Sequence, residues 1–419
     1  MKVLIVDTSG KEGVALGGAA RVAGNLFHEL RKRGITTYYL GYRNELVGKS
    51  RNSFIISGGS AQATARKMAG SGPLRSLSES RFVRIAYYST HSILGVDTGN
   101  AAQWIESVRP DIVVASAIQD YVTLKRLRRH LHGAKLVYIE HANASGNYKG
   151  AFDYSILGLT FGTGRYVGLE AARRRFFSFF DAVVALNMEQ RRGILRYNRD
   201  VTVIHSSANI DTKRPTKVQM ERARSASGTR RSDSAVLYLG RLQDAQKNVS
   251  TLILAFKAIR SERMRLLIVG NGKSASLYVE MARDDKRIRV ISGKMTDSDV
   301  AAYYSVADLY VLPSIWESFN ATFIEAAHFG DALLLSRRAI NEDIAERFGK
   351  SLYTFDPSSA SELKRRIERY FSDAALRKRL KRLSKEIAQE YSRKKQMDAY
   401  AKALETLYKT GRLTGHATV

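Results

Sequence analysis

Short apolar runs rich in Val, Ile, Leu and Tyr recur along this chain, separated by helix-length stretches of mixed polar and apolar residues. In the first half the runs fall at residues 2–6, 35–40, 111–115, 135–139, 181–186 and 201–205, with a helix read from about 18 to 33. In the second half they fall at 235–240, 265–269, 287–291, 308–312, 332–335 and 352–355. A strand that is apolar on both faces has to be covered on both faces, and strands alternating with helices achieve this as a parallel sheet between two helical layers. The fold class that follows is α/β, with two doubly wound domains. At 419 residues the chain also exceeds the size at which a single core stops growing, which gives the same domain count. The stretch 210–234 is polar, basic and poor in apolar residues, and it reads as the linker. Open sheets of this kind take ligands at the carboxyl ends of their strands, so two in tandem are expected to face a central cleft. Region 42–90 reads as loops and short elements, and 359–413 reads as helix throughout.

Charge bounds the partners. Lys and Arg number 68 against 40 Asp and Glu, a net charge of +28, which attracts something anionic. From residue 46 to 96 there are seven basic residues and one acid, and from 361 onward sixteen basic and seven acidic. Nucleic acid, anionic lipid and anionic glycan would each satisfy this charge; because the basic segments are interleaved with amphipathic helix rather than with stacking aromatics, an anionic membrane surface is expected first, with plain solvated surface as the main alternative. No apolar run approaches the roughly 18 residues that span a bilayer, and residues 1–7 run straight into a strand rather than a signal peptide. A cytoplasmic protein, peripheral on the inner face of the membrane, is the expectation. With no cysteine, no H-E-x-x-H and no Asp-x-Asp cluster near the proposed cleft, neither a bound metal nor another cofactor is expected.

The chemistry-bearing residues cluster in the second half. Glu317 and Glu325 stand eight positions apart after the run 308–312, the first in a polar turn and the second inside the helix that follows. A helix start favours an anion, while carboxylates bind hydroxyls, and a sugar nucleotide carries a diphosphate between hydroxyl-rich rings. Arg241 and Lys247 follow the run 235–240 at a spacing that suits a clamp on two phosphates, with solvated surface charge as the bland alternative. Asn248 or Ser250 reads as the cap of the helix beyond. Gly10, Gly13, Gly17 and Gly18 lead from the first strand into a helix, where they serve either close approach to a ligand or an ordinary loop. His141 ends the run 135–139 and is either a reactive side chain at the cleft or a hydrogen-bonded structural residue. His205 reads as structural. Arg173, Arg174 and Arg175 beside Phe176, Phe177, Phe179 and Phe180 read as a core helix, with membrane docking as the rival.

These residues resemble a family, the GT-B glycosyltransferases of the large retaining group often called family 4. Glu317 to Glu325 looks like its E-x7-E motif, Gly240-Arg241 with Lys247 like its diphosphate-binding Arg and Lys, and the segment from Val203 through His205 to Asp211 like its interdomain crossing. The resemblance implies a GT-B fold with an acceptor-side domain over 1–208, a helix at about 394–419 returning to it, and a donor-binding domain over 209–393. It implies catalytic roles for Arg241, Lys247, Glu317 and His141. Donor contacts are implied for Gly17, Gly18, Lys294, Met295, Ser318, Phe319, Asn320 and Glu325, with Glu317 toward the sugar, Glu325 toward the ribose and the loop 293–295 toward the base. Asn320 stands where the family often has glycine, and Arg337-Arg338 where it has paired glycines.

The expected activity is transfer of a sugar from a nucleotide-diphosphate donor to a glycan or lipid-linked acceptor, retaining and metal-independent, in cell-surface polysaccharide or glycolipid synthesis. The rivals are a non-catalytic polyanion or nucleic-acid binder on the same fold, and a sugar-nucleotide epimerase.

Overall fold

The computed structural model describes residues 1–8, 18–41, 47, 50–55, 98–141, 169–293, 295–317 and 319–413. Contacts divide the chain into two compact units, Met1–Ile204 with Met397–Val419, and His205–Gln396. The first unit contains strands β1 (Lys2–Asp7), β2 (Thr36–Gly41), β3 (Ser53–Ile55), β4 (Ile112–Ala115), β5 (Lys135–Ile139), β6 (Ala182–Ala185) and β7 (Val201–Val203). They form one sheet in the order β3-β2-β1-β4-β5-β6-β7, parallel throughout. The second unit contains β8 (Ser234–Leu239), β9 (Met264–Val269), β10 (Ile288–Ile291), β11 (Leu309–Leu312), β12 (Ala332–Ser336) and β13 (Thr354–Phe355), ordered β10-β9-β8-β11-β12-β13, again parallel.

Each sheet grows outward in one direction from its first strand, then resumes on that strand's other side. The switch lies between β1 and β4 in the first unit and between β8 and β11 in the second. Crossover helices diverge at such a point and leave a crevice at the strand ends. The strands that flank each switch are apolar and buried on both faces, as with Val3–Val6 and Leu309–Leu312, which is what a sheet covered by helices on both sides requires. In the first unit Phe176, Phe177 and Phe180 pack around Tyr138. Arg173, however, is buried beside Glu170 rather than facing water. The end of the chain is tied to the first unit by an Arg33–Asp398 ion pair of 2.8 Å and by the Leu413 N–H donating to Asp200 at 2.7 Å.

Two readings of the sequence are corrected. The stretch read as a linker, 210–234, contains the helix Lys217–Ser227, opened by a reciprocal Thr216–Gln219 capping box and closed by Gly228 at φ 64°. It buries only the small residues Ala223 and Ser227, so no apolar stripe marks it. The second concerns the cap after Lys247. Asn248 does hold the N-cap position, but its side chain accepts no backbone N–H there; the Asp244 carboxylate accepts from the Ser250 N–H at 2.9 Å and its hydroxyl at 2.6 Å. Asn248 takes a left-handed backbone instead, at φ 51°. Among the described residues no helix is long and apolar enough to cross a membrane.

Candidate functional site

The switch of the second unit brings together Arg241, Lys247 and Glu317. After β8 the chain passes Arg241 and makes a single helical turn, Asp244–Lys247. After β11 it runs through Pro313 and Glu317 to the helix Ala321–Phe329. Four bonds stitch these two loops together. The Asn248 amide donates to the Pro313 carbonyl at 3.2 Å, the Ile315 N–H to the Gln246 carbonyl at 2.8 Å, and the Gln246 amide to the Trp316 carbonyl at 3.3 Å. The fourth joins side chains: Lys247 Nζ donates to Glu317 Oε1 at 2.5 Å, with both groups more than nine-tenths buried. The Lys247 ammonium and the Glu317 carboxylate are thus direct partners.

Arg241 differs from Lys247. It is exposed, and its guanidinium has no hydrogen bond or ion pair among the described residues. Its backbone is fixed all the same, because the buried Tyr238 hydroxyl donates to the Arg241 carbonyl at 2.8 Å. Burial raises the Tyr238, Tyr304 and Tyr310 hydroxyls well above the ordinary tyrosine value, which keeps all three as proton donors. Tyr304 donates to Glu325 Oε2 at 3.0 Å, while Glu325 Oε1 accepts the Asn209 N–H at 3.0 Å. Glu325, buried in its helix, is therefore bound to the segment that enters this unit from the first.

Asn320 caps the helix Ala321–Phe329, its Oδ1 accepting the Thr322 N–H at 2.8 Å and the Thr322 hydroxyl at 2.6 Å. That use of the side chain accounts for an asparagine where the resemblance leads one to look for glycine. The Phe319 ring stacks on His205 at 5.5 Å between centroids and meets Tyr391 edge-on at 5.4 Å. His205 also lies 3.1 Å from Asp343 Oδ1 and receives the Gln396 amide on its carbonyl at 2.9 Å. Met295 follows β10, just before the capped helix Asp297–Val306. Gly17, Lys294 and Ser318 lie outside the described residues.

Sequence reasoning missed a third loop, Gly270-Asn271-Gly272 after β9. A Cβ on Gly270 would meet the Gly240 carbonyl oxygen at 1.8 Å, and one on Gly272 the Leu242 carbonyl oxygen at 2.1 Å. Only glycine allows the β9 loop to lie this close against the loop that presents Arg241. The available signal was the pair of glycines directly after a strand.

Residues 219–387 match the model of the family Glycosyl transferases group 1. Over that segment the chain is similar to the group 1 glycosyl transferases. The chain is 29% identical over 140 residues to the phosphatidyl-myo-inositol mannosyltransferase of Mycobacterium leprae (strain TN), a match covering 33% of this chain and 35% of that protein. The alignment thus spans about a third of that relative's length. Over nearly the whole chain the fold is that of known GT-B glycosyltransferase structures. Sucrose-phosphate synthase from Thermosynechococcus elongatus superposes with a TM-score of 0.68 at 16% identity, covering 97% of this chain and 99% of the other. Anabaena HepE in complex with UDP-glucose gives 0.68 at 15% identity, covering 97% and 100%.

Gly18 and His141 belong to the first unit. Gly18 is the first residue of the helix Gly18–Lys32. His141 follows β5; its Nε2 is buried without a hydrogen-bond partner among the described residues, and burial pulls its pKa down to about 4, so the ring is neutral at pH 7. At the switch of this unit, Asp120 Oδ1 accepts both the N–H and the hydroxyl of Thr8 at 2.7 Å. Its Oδ2 accepts the N–H groups of Ser116 at 3.0 Å and Ala117 at 2.8 Å. Burial, and then the neighbouring buried Asp7, push the Asp120 carboxyl up to about 7 against the pull of those donors. Asp7 in turn receives the Tyr39 hydroxyl at 3.1 Å.

Proposed function

We propose that this protein transfers a sugar from a nucleoside-diphosphate donor to a hydroxyl acceptor, with the donor diphosphate at the β8/β11 switch. The observation that carries this reading is the buried Lys247–Glu317 pair, set by three further bonds between the two loops, with the exposed Arg241 on the same loop as Lys247. A diphosphate there meets one fixed and one adaptable cation near a helix start, while Glu317 keeps an oxygen for a sugar hydroxyl. As the bond from the anomeric carbon to the β-phosphate oxygen breaks, its electron pair passes to that oxygen, and Arg241 and Lys247 stabilise the growing charge. The acceptor hydroxyl oxygen bonds to the anomeric carbon and its proton passes to the departing diphosphate. Attack from the side the diphosphate leaves gives retention without a protein nucleophile. Two side-chain cations supply the charge that a divalent metal would otherwise bring, which is the argument for metal-independent transfer.

For the acceptor we propose a glycan or lipid-linked hydroxyl, in cell-surface polysaccharide or glycolipid synthesis. The support is the partial likeness to a phosphatidyl-myo-inositol mannosyltransferase, together with the charge of +28, which favours work at an anionic membrane surface. Incubation with a panel of nucleotide sugars tests the reading, with thermal shift to find the donor and NMR of the product formed with and without a chelator. The expected result is one stabilising donor and a product of unchanged anomeric configuration in both conditions. No stabilisation by any nucleotide sugar, or epimerised donor as the product, overturns it.

A further inference from the structure

Asn271 occupies a junction that the proposed chemistry does not use. Its carbonyl accepts the Leu242 N–H at 2.8 Å, in the loop that follows Arg241. Its side-chain amide pairs with the backbone of Gly293 in both directions, Nδ2 donating to the Gly293 carbonyl at 2.7 Å and Oδ1 accepting the Gly293 N–H at 2.9 Å. One residue at the end of β9 therefore holds the end of β8 on one side and the end of β10 on the other. The Gly270 N–H adds a bond to the Ile291 carbonyl at 3.0 Å, and Ser274 bonds back to both Leu242 and Asp244.

We infer that Asn271 is a positioning residue for the donor's base, fixing the loop at Gly293 relative to the loop that carries Arg241. This rests on the nucleoside-diphosphate reading of the β8/β11 switch. Two strand spacings, about 10 Å, separate the ends of β8 and β10, which puts the end of β10 within reach of the nucleoside of a nucleotide whose phosphates lie at β8. Gly293 takes a φ of 145°, and among the described residues no atom lies within 4 Å of where a Cβ would stand. The bidirectional amide pairing holds its backbone N–H and carbonyl. Both bonds are exposed to water, so their loss loosens the loop without exposing a core.

The experiment is calorimetric titration of the full chain with UDP, GDP, ADP, CDP and inorganic pyrophosphate, for wild type, Asn271→Ala and Asn271→Asp. In Asn271→Ala the preferred nucleoside diphosphate binds about tenfold more weakly, the scale of two exposed hydrogen bonds, and the preference among bases shrinks. Pyrophosphate affinity and the melting temperature stay as in wild type. Asn271→Asp keeps the acceptor for the Gly293 N–H and retains part of the preference. Equal weakening for pyrophosphate and nucleoside diphosphate, or unchanged affinity for both, overturns the inference. If wild type binds pyrophosphate but no nucleoside diphosphate more tightly, base positioning is overturned while the phosphate site stands. Binding of none of the five removes the underlying reading as well.

Discussion

In the second unit the buried carboxylate of Glu317 sits against the buried ammonium of Lys247. In the first, the buried carboxylate of Asp120 is held by N–H and O–H donors from Thr8, Ser116 and Ala117, and a second acid, Asp7, raises its pKa further. Both arrangements occupy the same place in the same topology, the switch at the carboxyl end of a parallel sheet. An ion pair brings two charges into the fold and sets a fixed field there, which suits a site that has to stabilise charge on a ligand. A carboxylate held by neutral donors beside a second acid gains or loses a proton easily, and its geometry ties β1 to β4 rather than aiming charge outward. The shared fold therefore supplies the place, and the partners of one carboxylate decide what that place can do.

The contrast breaks first at Arg241. Arg241→Ala should lower transfer by about 10²- to 10³-fold, the usual cost of one preset donor in such a site. Because the side chain is exposed, the melting temperature should not move. Kinetics and thermal unfolding of the same preparation check both halves, and a variant of near-normal turnover would remove the charge-stabilising role. Next is the ion pair. Lys247→Met should cost about 3 kcal/mol of stability by leaving Glu317 buried and unpaired, whereas Lys247→Met with Glu317→Leu should recover most of it. Urea unfolding of the two single variants and the double variant measures the coupling; simple additivity would contradict the pairing.

Two pH-dependent effects sharpen the first unit's side. The folded-state pKa of Asp120 is raised from 3.8 to about 7. Its contribution to stability is therefore full below about pH 4 and is lost as the pH rises through 7. Asp120→Asn leaves N–H donors facing an amide and should cost about 1 to 3 kcal/mol. The loss should be larger at pH 5 than at pH 8, because only at the higher pH does wild type carry the buried charge. Unfolding at the two pH values decides, and equal losses would count against the raised pKa. The smallest effect is at His141, whose folded-state pKa is depressed from 6.5 to about 4. Its contribution is present above pH 6.5 and fades as the pH falls toward 4, opposite in sign to that of Asp120 in the same window. His141→Gln should accordingly gain on wild type, on the order of 1 kcal/mol, between pH 7 and pH 5. No relative change would show the ring to be solvated.

Both alternations of strand and helix were legible because each buried strand is a continuous apolar run, the strongest local signal a parallel sheet leaves. Glu317, Glu325, Arg241 and Lys247 stood out because their spacing after two such runs is short and local. Less local features did not. That Lys247 pairs with Glu317 depends on β8 and β11 being neighbours, a fact of strand order that spacing does not carry. Asn271 reached the site through a side-chain bond to a loop 22 residues on, and Asp244 displaced the expected cap by reaching six residues forward. The helix Lys217–Ser227 is amphipathic only in two small residues, and β3 has three residues, too few for a period to show.

On the proposed reading, the β8/β11 switch of the second unit holds a diphosphate between Arg241 and Lys247. It is tested most directly by comparing the affinities of a nucleoside diphosphate and of its monophosphate, for wild type and Arg241→Ala. In wild type the diphosphate should bind at least about tenfold more tightly, the worth of one charge-assisted contact. In Arg241→Ala that margin should fall to within about threefold, with monophosphate affinity little changed. A margin that survives the substitution in full would contradict the account.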